Sequence, residues 1–442
     1  MKRIDPQPAS GFRDFLPEDA AARQGMCDTI AEVFGRFGFV TVDTPALERL
    51  EVLSGGEAQM DKQVFRTRLA DDQEDLGLRF DLTVPLARYV AAHAERLTMP
   101  FRRYHIGKVW RGEHAQAGRF REFVQCDADI VGAKDVAADA EIISLMHETL
   151  VALGVSQFMF RIGHRKLLNG LAEFAQFPAA KTGPVLRAVD KMDKVGWEGV
   201  RRELKEKSKL DATAVDSIRA FLDASEGQPE DVIKKIAKLL EFSAEAHEGV
   251  HELQRLIECL DALHVPRERW RLDLSIARGL GYYTGPVFET TLTALPDLGS
   301  ICSGGRYDAL VSRFAPMDLS ATGASIGLDR LFAALDALEL VPRVRQGGRI
   351  AVLNFHGPAM RACLNLASRL RNAGLSAFVY LGGEETLKGQ LAWAVKHEVP
   401  YVAIIGQQEL ENGTCQLKDI AARSQTETAL GDAAESLKRM GA

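Results

Sequence analysis

The segment YHIGKVWRGEHAQAGRFREFVQCDADIV, residues 104–131, contains two apolar stretches separated by a polar loop. The stretches Tyr104–Trp110 and Phe123–Val131 are strand-like, and the loop Arg111–Glu122 between them contains glycine. Two strands joined in this way favour an antiparallel hairpin with a long loop. The hairpin predicts an antiparallel sheet as the body of the protein.

Helices and strands are predicted on both sides of this hairpin. Helical spacing of apolar residues predicts helices at 18–37, 84–94, 135–153 and 327–338. Short apolar or alternating runs predict strands at 39–42, 76–81, 157–162, 270–275, 287–292 and 300–302. Residues 179–265 are helical and charged instead, with few strand signals, so they predict a helical insertion into the sheet-containing body.

The C-terminal region follows a different pattern after a linker at 342–348 (PRVRQGG). Predicted strands at 350–353, 377–381, 401–405 and near 416–417 alternate with predicted helices at 360–372, 388–396 and 433–439. This alternation favours a small α/β domain with a largely parallel sheet. The predicted organisation is a core in two parts, 1–178 and 266–341, an insertion at 179–265 and a last domain at 348–442.

Composition excludes several classes of protein. The 442 residues have a formal net charge of −6, so nucleic acid would have to bind to local basic patches. The six cysteines are widely spaced without a C-x-x-C pair, which disfavours a zinc site and favours reduced thiols in a cytoplasmic protein. No apolar run is long enough for a secretion signal or a membrane helix. We therefore expect a soluble cytoplasmic protein with no metal held by its own side chains.

Four segments combine arginine with glycine and aromatic residues, which suits phosphate recognition because guanidinium groups bind phosphate oxygens bidentately. They are WRGE with GRFREF (110–123), ARGLGYYTG (277–285), GGRYD (304–308) and GASIGLDR (323–330). Each alone could be a surface ion pair or a turn, and only the set favours a nucleotide site. Since the chain has neither a P-loop nor a Rossmann glycine motif, a sheet lined with arginines is the expected cradle.

In these segments the chain resembles the histidyl-tRNA synthetase family. The resemblance covers nearly the whole chain: GFRDFLP (11–17) is similar to the N-terminal signature, FVTVDTPALE (39–48) to class II motif 1, RFDLTVPLAR (79–88) to the histidine-binding loop, 103–132 to motif 2, ARGLGYYTGPVFE (277–289) to a histidyl-specific segment, 323–331 to motif 3, and 348–442 to the anticodon-binding domain. It implies an α+β class II synthetase catalytic core, an antiparallel sheet flanked by helices, with a helical insertion and a C-terminal α/β anticodon-binding domain.

The resemblance also implies an activity, partners and site residues. The enzyme would activate L-histidine with ATP, transfer it to the 3′ end of tRNA(His), and act as a homodimer, with Mg²⁺ arriving with ATP. Arg111 and Arg278 would be catalytic, at the α-phosphate and the attacking carboxylate. The implied ATP-binding residues are Arg111, Glu113, Arg119, Phe123 and Arg330. The implied histidine-binding residues are Asp81, Thr83, Gln125, Asp129, Arg278, Tyr282, Tyr283 and Tyr307.

Two positions depart from the family pattern, and two other functions stay open. Gly281 stands where most of the family has aspartate, and Trp110 stands where phenylalanine or tyrosine is usual. One alternative is a histidine-sensing regulatory subunit of ATP phosphoribosyltransferase, a paralogue that typically lacks the anticodon domain and the phosphate-binding arginines. The other is an RNA-binding sensor of uncharged tRNA, for whose effector domain the 442 residues leave no room.

Overall fold

The computed structural model describes residues 4–54, 63–68, 74–113, 120–277, 283–341 and 349–442. The chain divides into two units, Met1–Arg343 and Val344–Ala442. Within the described ranges, no helix is both long and apolar enough to cross a lipid bilayer.

The first unit contains three groups of elements. Its strands are β1 (Val40–Thr41), β2 (Leu47–Arg49), β3 (Arg66–Thr67), β4 (Leu76–Leu78), β5 (Phe101–Trp110), β6 (Glu122–Val131), β7 (Phe158–His164), β8 (Trp270–Leu272), β9 (Pro286–Leu292), β10 (Ser300–Tyr307) and β11 (Ala321–Gly327). The helices outside the predicted insertion are α1 (Pro17–Arg36), α2 (Leu50–Ser54), α3 (Thr83–His93), α4 (Ala137–Ala152), α5 (Arg165–Asn169), α6 (Leu171–Phe174) and, after the insertion, α12 (Leu328–Ala337). The insertion itself holds α7 (Thr182–Val189), α8 (Met192–Glu206), α9 (Ala212–Asp223), α10 (Pro229–Leu239) and α11 (Ala244–Ala262).

Eight of these strands form one sheet in the order β1-β5-β6-β11-β10-β9-β7-β8. Neighbours from β5 through to β7 are antiparallel, while the two edge strands, β1 and β8, are parallel to their partners. The predicted antiparallel sheet and the β5–β6 hairpin are therefore confirmed. A separate small sheet has the order β2-β4-β3.

One continuous apolar core joins the sheet to the helices. Fully buried side chains in this core come from α1 (Ile30 and Phe34), α4 (Ile142), β9 (Phe288) and α9 of the insertion (Phe221). Residues 179–265 are thus helical as predicted but bury their apolar faces in the same cluster as the sheet. The domain boundaries at 178 and 265 stay predictions.

The strand β11 was not predicted. Its residues, ATGASIG, are mostly small and have weak strand propensity, so the sequence indicated only the approach to a helix here. In the structure β11 lies in the middle of the sheet, between β6 and β10. Its neighbour β10 is also longer than the predicted strand at 300–302, because it continues through glycines to Tyr307.

The second unit contains β12 (Ile350–Leu353), α13 (Met360–Asn372), β13 (Ala377–Val379), α14 (Leu387–Lys396), β14 (Tyr401–Ile404), α15 (Gln407–Asn412), β15 (Thr414–Asp419), β16 (Ser424–Ala429) and α16 (Ala433–Arg439). The five strands form a sheet in the order β13-β12-β14-β15-β16. The first three strands are parallel, as predicted, whereas β15 and β16 add an antiparallel hairpin. The sequence did not predict β16, because this polar strand is exposed along most of its length and carries no apolar alternation.

Candidate active site

Alternate residues of β6 line a polar face of the large sheet. Gln125, Asp127 and Asp129 are two residues apart, so their side chains leave the strand on the same side. Across the sheet, Asp129 is paired with Arg103 of β5 and Asp127 with Ser325 of β11. The intervening residues belong to the apolar core on the opposite side: Cys126, Ala128 and Ile130. The strand register therefore concentrates polar groups on one face.

A buried carboxylate, phenol and guanidinium are in direct contact on this face. The Tyr307 hydroxyl donates to Asp129 Oδ1 at 2.5 Å. Arg103 Nη2 lies 2.7 Å from Asp129 Oδ2 and also donates to the Leu82 carbonyl at 3.1 Å. Each of these three residues is no more than 3% exposed. Burial raises the pKa of Asp129, while Arg103 and the bond from Tyr307 oppose that rise. Because such burial is costly for polar groups, the cluster points to recognition of a polar ligand.

Two glycines provide the space for this cluster. A Cβ atom built at Gly323 would collide with the Asp129 carboxylate and lie 2.8 Å from the Ala128 carbonyl oxygen. A Cβ at Gly305 would lie 3.1 Å from the Tyr283 ring. The Asp129 side chain passes so close to β11 that only glycine fits at position 323. This requirement contributes to the low strand propensity of β11.

The turn before α3 adds another buried carboxylate. Asp81 Oδ1 accepts a bond from the Val84 N–H at 3.1 Å and so caps the first turn of the helix, which begins at Thr83. Burial raises the pKa of Asp81, and the positive charges of Arg111 and Arg103 lower it. Asp81 therefore lies within electrostatic reach of both arginines.

Beside this cluster, a cavity of about 270 Å³ is lined by arginine, aromatic and small polar residues. Arg111 Nε donates to the Phe80 carbonyl at 3.0 Å, and its guanidinium lies 5.1 Å from the centre of the Phe123 ring. Arg330 Nη1 donates to the Ser300 carbonyl at 2.5 Å. The full lining is Arg111, Glu113, Phe120, Phe123, Gln125, Ser300, Ile301, Cys302, Ser303, Ser325, Gly327, Asp329 and Arg330. Fixed positive charge next to an aromatic face suits the phosphates and base of a nucleotide.

The N-terminal loop supports this cavity from outside. Arg13 Nη2 donates to Asp329 Oδ1 at 2.9 Å, and Arg23 Nη1 lies 3.1 Å from the same oxygen. Asp329 also accepts from the Val124 N–H at 2.8 Å. The Arg13 guanidinium stacks 3.8 Å from the centre of the Phe120 ring. This network ties the GFRDFLP segment to β6 and to the start of α12.

Comparisons with known proteins agree with this architecture. The profile of the histidyl-tRNA synthetase family matches residues 11–331, and that of an anticodon-binding domain matches residues 349–440. The chain belongs to the histidyl-tRNA synthetase family. The histidine--tRNA ligase of Wolinella succinogenes is 42% identical over 419 residues, 94% of each chain. The crystal structure of histidyl-tRNA synthetase from Nostoc sp. PCC 7120 is 35% identical, with a TM-score of 0.84 over 99% of this chain and all of that one.

A further solved relative carries a double description. It is an ATP phosphoribosyltransferase regulatory subunit/histidyl-tRNA synthetase from Bacillus halodurans. It is 27% identical, with a TM-score of 0.73, and the match covers 88% of this chain and 97% of that chain. The class II synthetase fold with a C-terminal anticodon-binding domain, expected from the sequence, is therefore confirmed, and the curated relatives are aminoacyl-tRNA ligases.

The structure brings together most of the residues that the family resemblance assigns to ATP. Arg111, Glu113, Phe123 and Arg330 line the same cavity, although they come from the β5–β6 hairpin and from α12. Arg119 lies outside the described residues. The binding roles themselves stay predictions.

The described residues among those assigned to histidine lie on and beside the polar face that Gln125 shares with the cavity. Asp129 and Tyr307 are hydrogen-bonded, and Tyr283 is close enough to influence the Tyr307 phenol. Asp81 and Thr83 lie together at the start of α3, and Gln125 lines the cavity itself. The remaining expected residues are outside the described part of the chain: Arg278, Tyr282 and the unusual Gly281.

The segment GGRYD (304–308) does not line the cavity. Arg306 of GGRYD is buried and ion-paired with Asp139, and it donates to the Ala133 carbonyl at 2.9 Å. Successive strand residues point to opposite sides, so Tyr307 faces the polar cluster while Arg306 faces α4. The composition of this segment suits phosphate recognition, but its arginine is held by Asp139 instead.

Sequence reasoning also missed Arg103, Asp127 and Asp329. Alternation on β6 could have revealed Asp127, because it lies between two residues that had been singled out. No local pattern distinguishes Arg103 from a surface arginine, and Asp329 is identified as a structural anchor only by its partners Arg13 and Arg23.

Proposed function

We propose that this protein is a histidine–tRNA ligase, which activates L-histidine with ATP to histidyl-adenylate and then transfers the histidyl group to the 3′ end of tRNA(His). The products are pyrophosphate from the first step and AMP from the second. The observation that carries the proposal is the buried contact of Asp129 with Tyr307 and Arg103 next to an arginine-lined cavity.

The Asp129 cluster suits the imidazole of histidine. The ring has two nitrogens, one a donor and the other an acceptor in the neutral form. We assign Asp129 and Tyr283 to these nitrogens, with Tyr307 fixing the Asp129 carboxylate through its hydroxyl. A pocket built on such pairs rejects side chains that leave its polar groups unpaired, by about 10⁴–10⁵-fold in well-studied hydrogen-bonding sites.

The cavity beside it suits ATP. We assign Phe123 to stack on adenine, Arg111 and Arg278 to the α-phosphate and the histidine carboxylate, and Arg119 and Arg330 to the outer phosphates. In the first step a carboxylate oxygen of histidine attacks the α-phosphorus and pyrophosphate leaves. Fixed guanidinium charges would lower the barrier by neutralising the developing negative charge while they hold the two reactants in line.

Magnesium would enter as the ATP complex. Among the described residues, no group of three histidine, cysteine, aspartate or glutamate side chains could hold a metal ion. The cavity carboxylate of Asp329 is already ion-paired with Arg13 and Arg23. We therefore assign Glu113, which lines the cavity, as the carboxylate facing a metal held chiefly by phosphate oxygens.

We also propose a cytoplasmic homodimer that binds tRNA(His) through its C-terminal unit. That unit matches an anticodon-binding domain, which supports an RNA partner. Near Pro45 of motif 1, the apolar residues Val40 and Leu47 are 54% and 43% exposed, as expected for a surface that a second copy covers. Sedimentation equilibrium would test this part, because a monomer at micromolar concentration contradicts it.

The decisive experiment is amino-acid-dependent exchange of pyrophosphate into ATP, run with all twenty amino acids in parallel. We expect exchange with histidine alone. The variant Arg278→Ala should lose most of this activity while keeping the circular dichroism spectrum and melting behaviour of the wild type. Near-normal exchange by this variant would remove Arg278 from the mechanism.

The second candidate is a regulatory subunit of ATP phosphoribosyltransferase, because the solved relative from Bacillus halodurans is described as one or as a histidyl-tRNA synthetase. The anticodon-binding match at 349–440 and the presence of Arg111 and Arg330 at the cavity favour the ligase. Histidine binding by calorimetry without any exchange activity would favour the regulatory subunit.

A further inference from the structure

We infer that Asp127 is a positioning residue that, together with Ser325, turns the Gln125 side chain so that its amide oxygen faces the substrate as the acceptor for the α-ammonium group of histidine. This inference rests on the proposed function. It assigns a role to a side chain that neither the motif resemblance nor the catalytic roles above include.

The Gln125 side chain lies against two polar neighbours. Gln125 Nε2 donates to Ser325 Oγ at 2.6 Å and approaches Asp127 Oδ1 at 3.4 Å. Asp127 and Gln125 share a face of β6, and Ser325 is paired with Asp127 on β11. All three side chains form one triangle at the edge of the ATP cavity, which Gln125 and Ser325 line.

These two neighbours fix the orientation of the Gln125 amide. An ionised carboxylate can only accept hydrogen bonds, so the amide group nearest Asp127 must be the NH₂ of Gln125 and not its oxygen. Ser325 also makes a hydrogen bond to Asp127, so its hydroxyl hydrogen is directed to the carboxylate and a lone pair is left for the amide. The amide therefore has one favoured orientation of the two that its shape allows.

This orientation leaves the oxygen of the Gln125 amide without a donor from either neighbour. Gln125 Oε1 is buried and has no hydrogen-bond partner among the described residues. A buried carbonyl oxygen without a donor is costly, which indicates that a ligand supplies the donor. Since the Asp81 carboxylate is close enough to act on Asp127 and also carries an acceptor, the position suits a cationic donor, as the α-ammonium group of an amino acid is.

The test separates the ammonium group from the rest of the substrate. Two inhibitors of histidine-dependent exchange are compared: histidinol, which keeps the amine, and 3-(imidazol-4-yl)propionate, which lacks it. Assays are run at pH 8, above the pKa of about 7 to which burial raises Asp127. In Asp127→Asn we expect the inhibition constant of histidinol and the KM for histidine to rise about 10- to 100-fold, as for loss of a hydrogen bond to a charged group, while the constant for the propionate stays unchanged.

A double-mutant cycle shows whether Asp127 acts through Gln125. Gln125→Ala should weaken histidinol binding alone, and adding Asp127→Asn to it should cause no further loss. An equal weakening of both inhibitors in Asp127→Asn would reveal general damage to the pocket and overturn the inference. So would a full effect of Asp127→Asn in the Gln125→Ala background, because Asp127 would then attract the ammonium directly. Wild-type exchange with histidine is the separate check on the proposed function itself.

Discussion

Gly323 in the middle of β11 should not tolerate even a methyl group. In Gly323→Ala the new Cβ would collide with the Asp129 carboxylate and with the Ala128 carbonyl oxygen, 2.8 Å away. The backbone oxygen cannot move without breaking the pairing of β6 with β11, so the carboxylate must yield. It would then leave Tyr307, now at 2.5 Å, and Arg103, now at 2.7 Å.

The size of the effect follows from these contacts. Overpacking a buried site costs about 1–3 kcal/mol. A weakened hydrogen bond to a charged group costs about 1.5–3 kcal/mol, which corresponds to roughly 10- to 150-fold in an equilibrium constant. We therefore expect Gly323→Ala to lower the free energy of unfolding by about 1–3 kcal/mol and to raise the KM for histidine about 10- to 100-fold, with a much smaller change in the KM for ATP.

Urea denaturation and pyrophosphate exchange at varied histidine and ATP would measure these changes. The matched control is Gly327→Ala, at the end of the same strand, where a Cβ would meet only the Ile301 carbonyl oxygen at 4.0 Å. The control should keep its stability and its KM for histidine. If Gly323→Ala matched the control in both quantities, the glycine would not be there to accommodate Asp129.

Three other substitutions test the polar face of the sheet and the cavity beside it. Tyr307→Phe removes the donor to Asp129 and should lower kcat/KM for histidine about 10- to 100-fold, measured by exchange; an unchanged value would show that the phenol does not order the carboxylate. Burial raises the pKa of Asp127 from 3.8 to about 7, so the folded protein holds a proton that the unfolded chain has lost between these values, and stability falls as the pH rises through this window. Asp127→Asn should thus gain about 2–3 kcal/mol relative to the wild type between pH 5 and pH 8, and parallel urea-denaturation profiles would contradict this. Arg330→Ala should raise the KM for ATP about 10- to 100-fold but leave the KM for histidine nearly unchanged, and an equal change in both would argue against a phosphate role.

The parts of the fold that sequence could predict are those where local pattern and tertiary role agree. The stretches around Tyr104–Trp110 and Phe123–Val131 are apolar and strand-like, and they form the expected hairpin. The β11 strand could not be predicted because its residues have low strand propensity. They are small because side chains such as Asp129 pass close to the strand and leave no room for larger residues. The polar edge strand Ser424–Ala429 could not be predicted because almost all of its side chains are exposed, so its sequence shows no apolar alternation.

Some residues of the candidate site could be identified from the sequence, and others could not. The motif resemblance identified Arg111, Phe123 and Arg330, and these converge on one cavity although they are far apart in sequence. It could not identify Arg103, because its importance lies in complete burial against Asp129, which only the register of β5 with β6 reveals. Arg119, Arg278 and Tyr282 lie outside the described residues. The Arg278→Ala variant proposed above tests the role of Arg278, and the roles of the other two stay predictions.

The alternation along β6 has a consequence for how this gene can change. Because every second residue faces the substrate side, adding or removing a single codon between Glu122 and Val131 would exchange the two faces of the strand beyond that point. If the change precedes Gln125, Cys126 and Ala128 would face the pocket in place of the acids, and the carboxylates would face the apolar core. Single substitutions at these positions would differ in how strongly they harm the protein. A shift of the strand register by one residue would instead damage the substrate pocket and the apolar core together.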